Sequence, residues 1–543
     1  MIRRHWVLNK MAGVFITFLV LLPVAGQARP IPMGVQLADV QTLVRSNGSD
    51  PTSLDPMMSE TQETHHVIAD LFSGLVTQQS SGEIVAELAE SWSQVNNQVW
   101  NFQLRPGITW SNGQPIRASD FVFSWRRLGE RQSLSPYQSY LSWAHINNAE
   151  AVAAGRLPVT ALGIKALDDR HLQVTLSQPV VDFLSIIAHS TLSPVSQAVV
   201  EKYGDTWTQL DHIVVSGPYK PVKWVINEKL VATRNANYWD NRNTRINQVT
   251  YLPISEPNAV LNRYLADQSD IADTIPTVDF PRIKKMIPSQ IRQTPLLGLY
   301  YYRFNLNKPP FNDVRIRQAL SLAVDRMIIT QRVLGMGQQP AYSLLPRVMG
   351  NVRFTDPDYA HWTQQQRDDK AKQLLAEAGF TAANPLKLNL LYNTSQDHQR
   401  IAIALAAFWK KTLGVQVTLQ NQEWKSLLAT MHSGNFQLAR YTWVADYNDP
   451  DSFLVTFNTK STQNQSFYSN PTYDKLVQQA SSSQNVELSQ QRYQQASDIL
   501  TEDMPSIPIY YFVQNLLVKP WVGGLSVTST GEYLTKNMYI IKH

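Results

Sequence analysis

No cysteine occurs among the 543 residues. That excludes disulfide staples, thiolate metal sites and a cysteine nucleophile. It also excludes the lipid-modified cysteine that would tether an exported protein to a membrane. Charge is sparse as well: 17% of residues are charged and the formal net charge is +5, to which Arg3, Arg4 and Lys10 alone contribute three. Without a dense Lys/Arg stripe there is no electrostatic footprint for nucleic acid. Long apolar runs are missing too. The run "AGVFITFLVLL" (12 to 22) is too short to span a bilayer. With basic residues before it and the small-residue stretch "PVAGQA" (23 to 28) after it, it reads as an export signal cleaved after Ala28. No low-complexity tract, heptad array or short-period repeat is visible. Residues 1–28 are therefore set apart as a signal peptide, and the rest is expected to be exported, periplasmic and without a lipid anchor.

What is present is ordinary globular composition, 43% hydrophobic, in a chain long enough for two or three domains. Both backbone periodicities alternate along it. "VWNFQL" (99 to 104) and "HLQVTL" (171 to 176) have the period of half-buried strands. "PPFNDVRIRQALSLAVDRMII" (309 to 329) predicts a helix capped by Asn312, with an apolar face through Ile316, Leu320, Ala323 and Val324. "DDKAKQLLAEAGF" (368 to 380) predicts another helix, closed by a glycine. The clearest unit is 385 to 420: strand "PLKLNLLYN", a helix carrying Ile401, Leu405, Phe408 and Trp409 that ends at Gly414, and strand "VQVTLQ". Strand, helix, strand at this spacing predicts parallel pairing. The fold class is α/β, in more than one lobe.

The stretch "RYTWVADYNDP" (440 to 450) sets a carboxylate, Asp446, directly after an apolar run. A charge beside a core is costly without a cation to meet it. Read locally, Asp446 caps a turn, as Asp-rich segments before proline commonly do.

A hydrolase motif is not found: there is no HExxH, no GxSxG, and no SxxK with supporting motifs. His65 and His66 are adjacent, so on a helix they diverge by about 100° and do not easily share one ion. They are expected on a solvated face, and no cofactor is expected.

Several segments together resemble the peptide-binding proteins of bacterial ABC importers. They are "LVRSNGSDPTSLDP" (43 to 56), "ADLFSGLV" (69 to 76), "LAESWSQVNNQVWNFQLRPGITWSNGQPIRASDFVFSW" (88 to 125), "SGPY" (216 to 219), "NKPPFNDVRIRQAL" (307 to 320) and "LLYNTS" (390 to 395). "QNQEWKS" (420 to 426) and the terminal "NMYIIKH" (537 to 543) place the chain nearest the oligopeptide and murein-tripeptide binders of that family. The resemblance implies a two-lobed, Venus-flytrap-type periplasmic binding fold with an extra third domain, and mixed sheets flanked by helices. Domain I would be 29–72, 197–297 and 514–543, domain II 73–196, and domain III 298–513. It implies a monomer that captures di- to pentapeptides or a murein peptide and delivers them to an inner-membrane ABC permease, with neither enzyme activity nor nucleic-acid binding. A chaperone-like use of the same main-chain recognition is a secondary role. A metal- or haem-binding relative on the same fold is the alternative.

The resemblance also assigns residues. Asp446 would receive the peptide's ammonium, with Tyr137 near the guest's first residue. Glu60 and Gln62 would line the peptide backbone, Trp424 and Trp443 would flank side-chain pockets, and Tyr447 follows Asp446. Arg440 would pair with a carboxylate or support the site, and His398 would lie near the C-terminal end of longer peptides. This sequence departs from the family pattern at Gly298 and Val444, which replace a disulfide pair, at Leu334, which replaces a lysine, and at Met431, which replaces an arginine. A glutamate is replaced by Arg303, which is expected either to pair with a guest carboxylate or to face solvent at the pocket mouth.

Overall fold

The computed structural model describes residues 31–350, 352–483 and 485–543; the expected signal peptide lies outside the described residues. Among these, no helix is long and apolar enough to cross a membrane.

One large mixed sheet forms the spine. Its strands run in the order Gln416–Gln422, Lys387–Asn393, Leu438–Val444, Ile291–Phe304, Ser506–Val518, Ile271–Ala272, Thr42–Ser46, Gln248–Leu252, Lys229–Arg234, Tyr219–Val225. A separate four-stranded antiparallel sheet, Ala89–Val95, Val99–Leu104, His171–Thr175, Ile164–Ala166, organises a smaller lobe. The chain begins in the spine, enters the smaller lobe and returns, so it crosses between them twice. At the crossings Gly217 donates its N–H to the Leu71 carbonyl at 2.8 Å. A Cβ on Gly217 would fall 2.6 Å from the Leu71 carbonyl carbon. Only glycine lets the two crossing segments touch, which gives "SGPY" a structural reason.

The expected boundaries at 297/298 and 513/514 fall inside the two longest strands. Ile291–Phe304 and Ser506–Val518 pair antiparallel from Ile291↔Leu517 to Arg303↔Ser506, with an irregularity between Pro295 and Leu299. Strands from the expected domains I and III therefore pair within one hydrogen-bonded sheet.

Local rules account for most elements. In "VWNFQL" burial alternates, with Trp100, Phe102 and Leu104 inward. Lys387–Asn393 pairs parallel with Gln416–Gln422 across the helix Gln396–Leu413, whose Ile401, Leu405 and Trp409 are buried and whose end is Gly414 at φ +69°. The helix expected over 309–329 is shorter. It spans Val314–Leu322, and its cap is Asp313, which accepts the Arg315 N–H; Asn312 does not cap it. Asp325 then caps a new turn by accepting from Ile328, so the chain re-starts as Arg326–Ile328 and widens into Ile329–Leu334. A second capping side chain offers the backbone an alternative to continuing the helix.

The largest apolar core extends across the lobes. It joins Trp100, Trp125 and Leu172 of the smaller lobe to Tyr441, Trp443, Tyr447 and Phe453 of the spine. The opposite face of the same strands packs Tyr300 and Tyr302 against Leu320, Leu405 and Trp409.

Candidate functional site

The sheet period decides which expected site residues can meet. Leu438–Val444 pairs with Ile291–Phe304 in the register Tyr302↔Arg440, Tyr301↔Tyr441, Leu299↔Trp443. Residues 301, 303, 441 and 443 therefore share the face turned to the smaller lobe, while 300, 302, 440 and 442 share the other. The site residues fall into two groups.

The first group surrounds Asp446, just past the strand's end. Its backbone N–H donates to Ser452 Oγ at 2.7 Å, and its side chain is 6% exposed. Tyr137 reaches Oδ1 from the smaller lobe with its hydroxyl at 3.4 Å, and His189 Nε2 lies 3.5 Å from the same oxygen. Oδ2 is buried without a hydrogen-bond partner. Burial pushes the carboxyl well above the usual range; the Tyr137 hydroxyl offsets part of this, and Glu532 pushes it further up. Burial, with His65 beside it, holds His189 well below the usual histidine range. The His189 contact is therefore between a carboxyl and a neutral imidazole, which leaves Asp446 without a cation from the protein.

Aromatic rings wall this compartment. Tyr137, Tyr140 and His65 pack around His189 with centroids 4.8–5.2 Å away. Trp443 is buried and donates Nε1–H to the Ser452 carbonyl at 2.9 Å, so it braces the loop that carries Asp446. Tyr447 is buried, with its hydroxyl 3.4 Å from Asp451 Oδ2. Trp424 is half-buried and stacks on Tyr441 at 6.2 Å. Glu60 pairs with His432 at 3.2 Å, and Gln62 donates to the Thr530 carbonyl at 3.3 Å. Arg303 lies on this face, fully buried over the Tyr441 ring at 4.6 Å. The expected alternative that Arg303 faces solvent is thus corrected: the inward half of the strand alternation carries it into the aromatic compartment.

The second group is on the far face. Arg440 is buried over the Tyr300 ring at 4.6 Å and donates to Asn393 Oδ1 at 3.1 Å and to Thr442 Oγ1. His398 Nδ1 meets the Tyr300 hydroxyl at 3.2 Å. Burial, then the Arg440 charge, hold His398 well below its usual range. The strands bring Arg440 and His398 to one another and not to Asp446.

Three features escape sequence reading. His189 and Glu532 sit in segments with no motif, and tertiary packing alone brings them near Asp446. His65 and His66 are buried, which corrects the expected solvated face: nearly every residue of their helix from Thr64 to Leu71 is covered. Their rings do diverge. His65 contacts Ser59 and Ser190 at 3.3 Å, and His66 packs tilted at 52° against Tyr533 with a centroid distance of 4.8 Å. Among the described residues no group of three or more His, Asp and Glu side chains is placed to hold a metal ion.

A buried carboxyl with no cation from the protein thus lies between two lobes that the chain links twice. Residues 83–465 match the bacterial extracellular solute-binding proteins, family 5, middle region. The chain belongs to that family. Its members are binding proteins, not enzymes. The chain is 47% identical over 525 residues to the periplasmic oligopeptide-binding protein OppA of Salmonella typhimurium, covering 96% of each. It is 41% identical to the probable deoxycholate-binding periplasmic protein YgiS of Escherichia coli, covering 95% of this chain and 96% of that one. Among solved structures it is similar to the murein tripeptide binding protein MppA of E. coli, with 41% identity, a TM-score of 0.91, and coverage of 93% of this chain and 100% of that one. Against the unliganded open form of MppA the TM-score is 0.69, with 40% identity and coverage of 94% and 99%. The lower score matches the sealed geometry at Asp446: the lobes here are closed.

Proposed function

We propose that the chain is a periplasmic solute-binding protein that captures short peptides, di- to pentapeptides or a murein peptide, between its closed lobes and passes them as a monomer to an ABC permease of the inner membrane. The observation that carries the reading is Asp446: a buried carboxyl with one unpartnered oxygen, a second acid, Glu532, nearby and no protein cation. A free peptide ammonium supplies the missing charge. Breaking such a buried charge-assisted contact from one side costs roughly 3–5 kcal/mol. Tyr137 bonds the same carboxyl from the opposite lobe, so a guest held there favours the closed population. Glu60, Gln62, Trp424, Trp443 and Tyr447 line the path beside it. Arg440 and His398 lie on the other face of the strand; the family resemblance alone assigns them to the carboxylate end of longer guests. A bile acid is anionic and carries no ammonium, so it leaves Asp446 uncompensated; the site chemistry favours a peptide over the cargo in the name of the YgiS relative.

Native mass spectrometry of the purified protein tests the reading. Bound mass in the di- to pentapeptide range, released on denaturation, supports it. Bound nickel, haem or bile acid with no peptide overturns it.

A further inference from the structure

We propose that Arg303 is the receptor for an acidic side chain of the guest, and that Gln465 holds the receptor's place until that side chain arrives. This rests on the peptide reading. Arg303 is 0% exposed, yet its partners are all neutral. Nη1 donates to the Gln463 carbonyl at 3.1 Å and to the Gln465 side-chain oxygen, and Nη2 donates to the Tyr301 hydroxyl at 2.6 Å. Nε has no hydrogen-bond partner, and Arg303 takes part in no ion pair among the described residues. A buried guanidinium answered only by neutral oxygens carries a large uncompensated desolvation cost. Its planar fork matches a carboxylate.

The neighbourhood points toward the guest. Arg303 lies over Tyr441, which stacks with Trp424, on the face that also carries Trp443. Gln463 and Thr462 bond the Pro136 carbonyl at 3.0 and 2.9 Å, beside Tyr137. The loop 459–469 therefore closes over Arg303 from the spine and meets the smaller lobe where the guest's first residue is placed.

Gln465 is the displaceable element. It is 4% exposed, and its Nε2 is buried without a hydrogen-bond partner while its oxygen sits on Arg303. It also lines a cavity of about 350 Å³ with His432, Thr459, Asn464, Phe467 and Tyr468, and no Asp or Glu lines that cavity. An incoming carboxylate takes the acceptor position on Arg303, and the Gln465 amide turns into the cavity, where polar groups meet it. A neutral guest leaves Gln465 in place. The site thus admits uncharged peptides and prefers acidic ones.

Calorimetry on the whole mature protein decides this, with the tetrapeptide pairs Ala-Glu-Ala-Ala/Ala-Gln-Ala-Ala and Ala-Ala-Glu-Ala/Ala-Ala-Gln-Ala. Glu and Gln differ in charge and little in shape, so each ratio isolates the carboxylate. The proposal expects the Glu peptide to bind at least tenfold more tightly in one pair, and expects Gln465→Glu, which installs an internal carboxylate partner, to bring that ratio to one or below. Arg303→Gln should do the same where it folds. Ratios near one in both pairs for the natural protein overturn the proposal while leaving peptide capture standing, as does a Glu preference that survives Gln465→Glu. Failure of all four peptides to bind overturns the peptide reading and this proposal together.

Discussion

The two faces of the strand Leu438–Val444 carry opposite electrostatic problems. Toward the smaller lobe lies a seam holding Asp446, an acid with no cation; in the loop that follows it, Asp449 meets Asp451 and Asp182. Toward the helices lies Arg440, a cation whose Nη1 and Nη2 donate to Asn393 and Thr442, whose Nε has no partner, and whose flat side covers Tyr300. The carboxyl in the seam keeps an unpartnered oxygen, whereas two of the three guanidinium nitrogens on the far face are bonded. The seam is built to be completed by something that arrives with positive charge. The backing face already has partial satisfaction and gains less from a guest.

The largest expected effect is at Asp446. Asp446→Ala should weaken a free tripeptide by roughly 3–5 kcal/mol, about a hundred- to several thousand-fold in Kd, and should also abolish discrimination against the N-acetylated peptide. Isothermal titration of the acetylated and free forms checks both. Equal affinity of the variant and the natural protein for the free peptide would remove the asymmetry between the faces. Arg440→Leu should cost a tetrapeptide about 1.5–3 kcal/mol, the range for a hydrogen bond to a charged group. The loss should shrink for the C-terminally amidated peptide; a loss as large as that at Asp446 would equalise the two stations.

A pH effect sharpens the seam's character. Burial, in part offset by the Tyr447 hydroxyl and reinforced by Asp182, pushes Asp451 up to about 7. An unfolded aspartate titrates near 3.9, so the folded protein holds this proton more tightly. Stability from the group is complete below the unfolded pKa and is lost as pH rises through the interval to about 7, at about 1.4 kcal/mol per pH unit. Asp451→Asn should remove that slope, seen as a flatter denaturant midpoint between pH 4 and 7. His65, held by burial at about 4, acts in the opposite sense. Its stabilisation is present above the unfolded value near 6.5 and is lost as pH falls through that interval, so His65→Gln should steepen the net acid dependence of the carboxyls. A variant profile that tracks the natural protein in both cases would place these groups in solvent in the working protein.

Much of the architecture was legible because it is written in period and punctuation. Inward Trp100, Phe102 and Leu104 announce a half-buried strand, and the apolar face and terminal Gly414 of 396–413 announce a crossover helix. Errors arose where two local signals compete or where coverage is not local. Asp313 and Asn312 are both plausible caps, and only the backbone geometry chose Asp313. His65 and His66 look like solvated residues until the loops near 190 and 531 close over them. At the site, Asp446 stood out because a charge after a buried strand is costly anywhere. Neither Gln465 nor His189 has a local cost that could draw notice.

By itself the sequence determined the α/β class, the alternating strand faces, the lack of covalent staples and the oddity of an acid at 446, because each follows from chemistry within one or two turns of chain. The tertiary structure alone decided that Tyr137 and Asp446 meet across 309 residues, that Arg303 and Arg440 part to opposite faces, and that Gln465 answers a buried guanidinium. Those outcomes depend on sheet register and lobe closure, which sum many weak contacts between distant segments and leave no signature in any one of them.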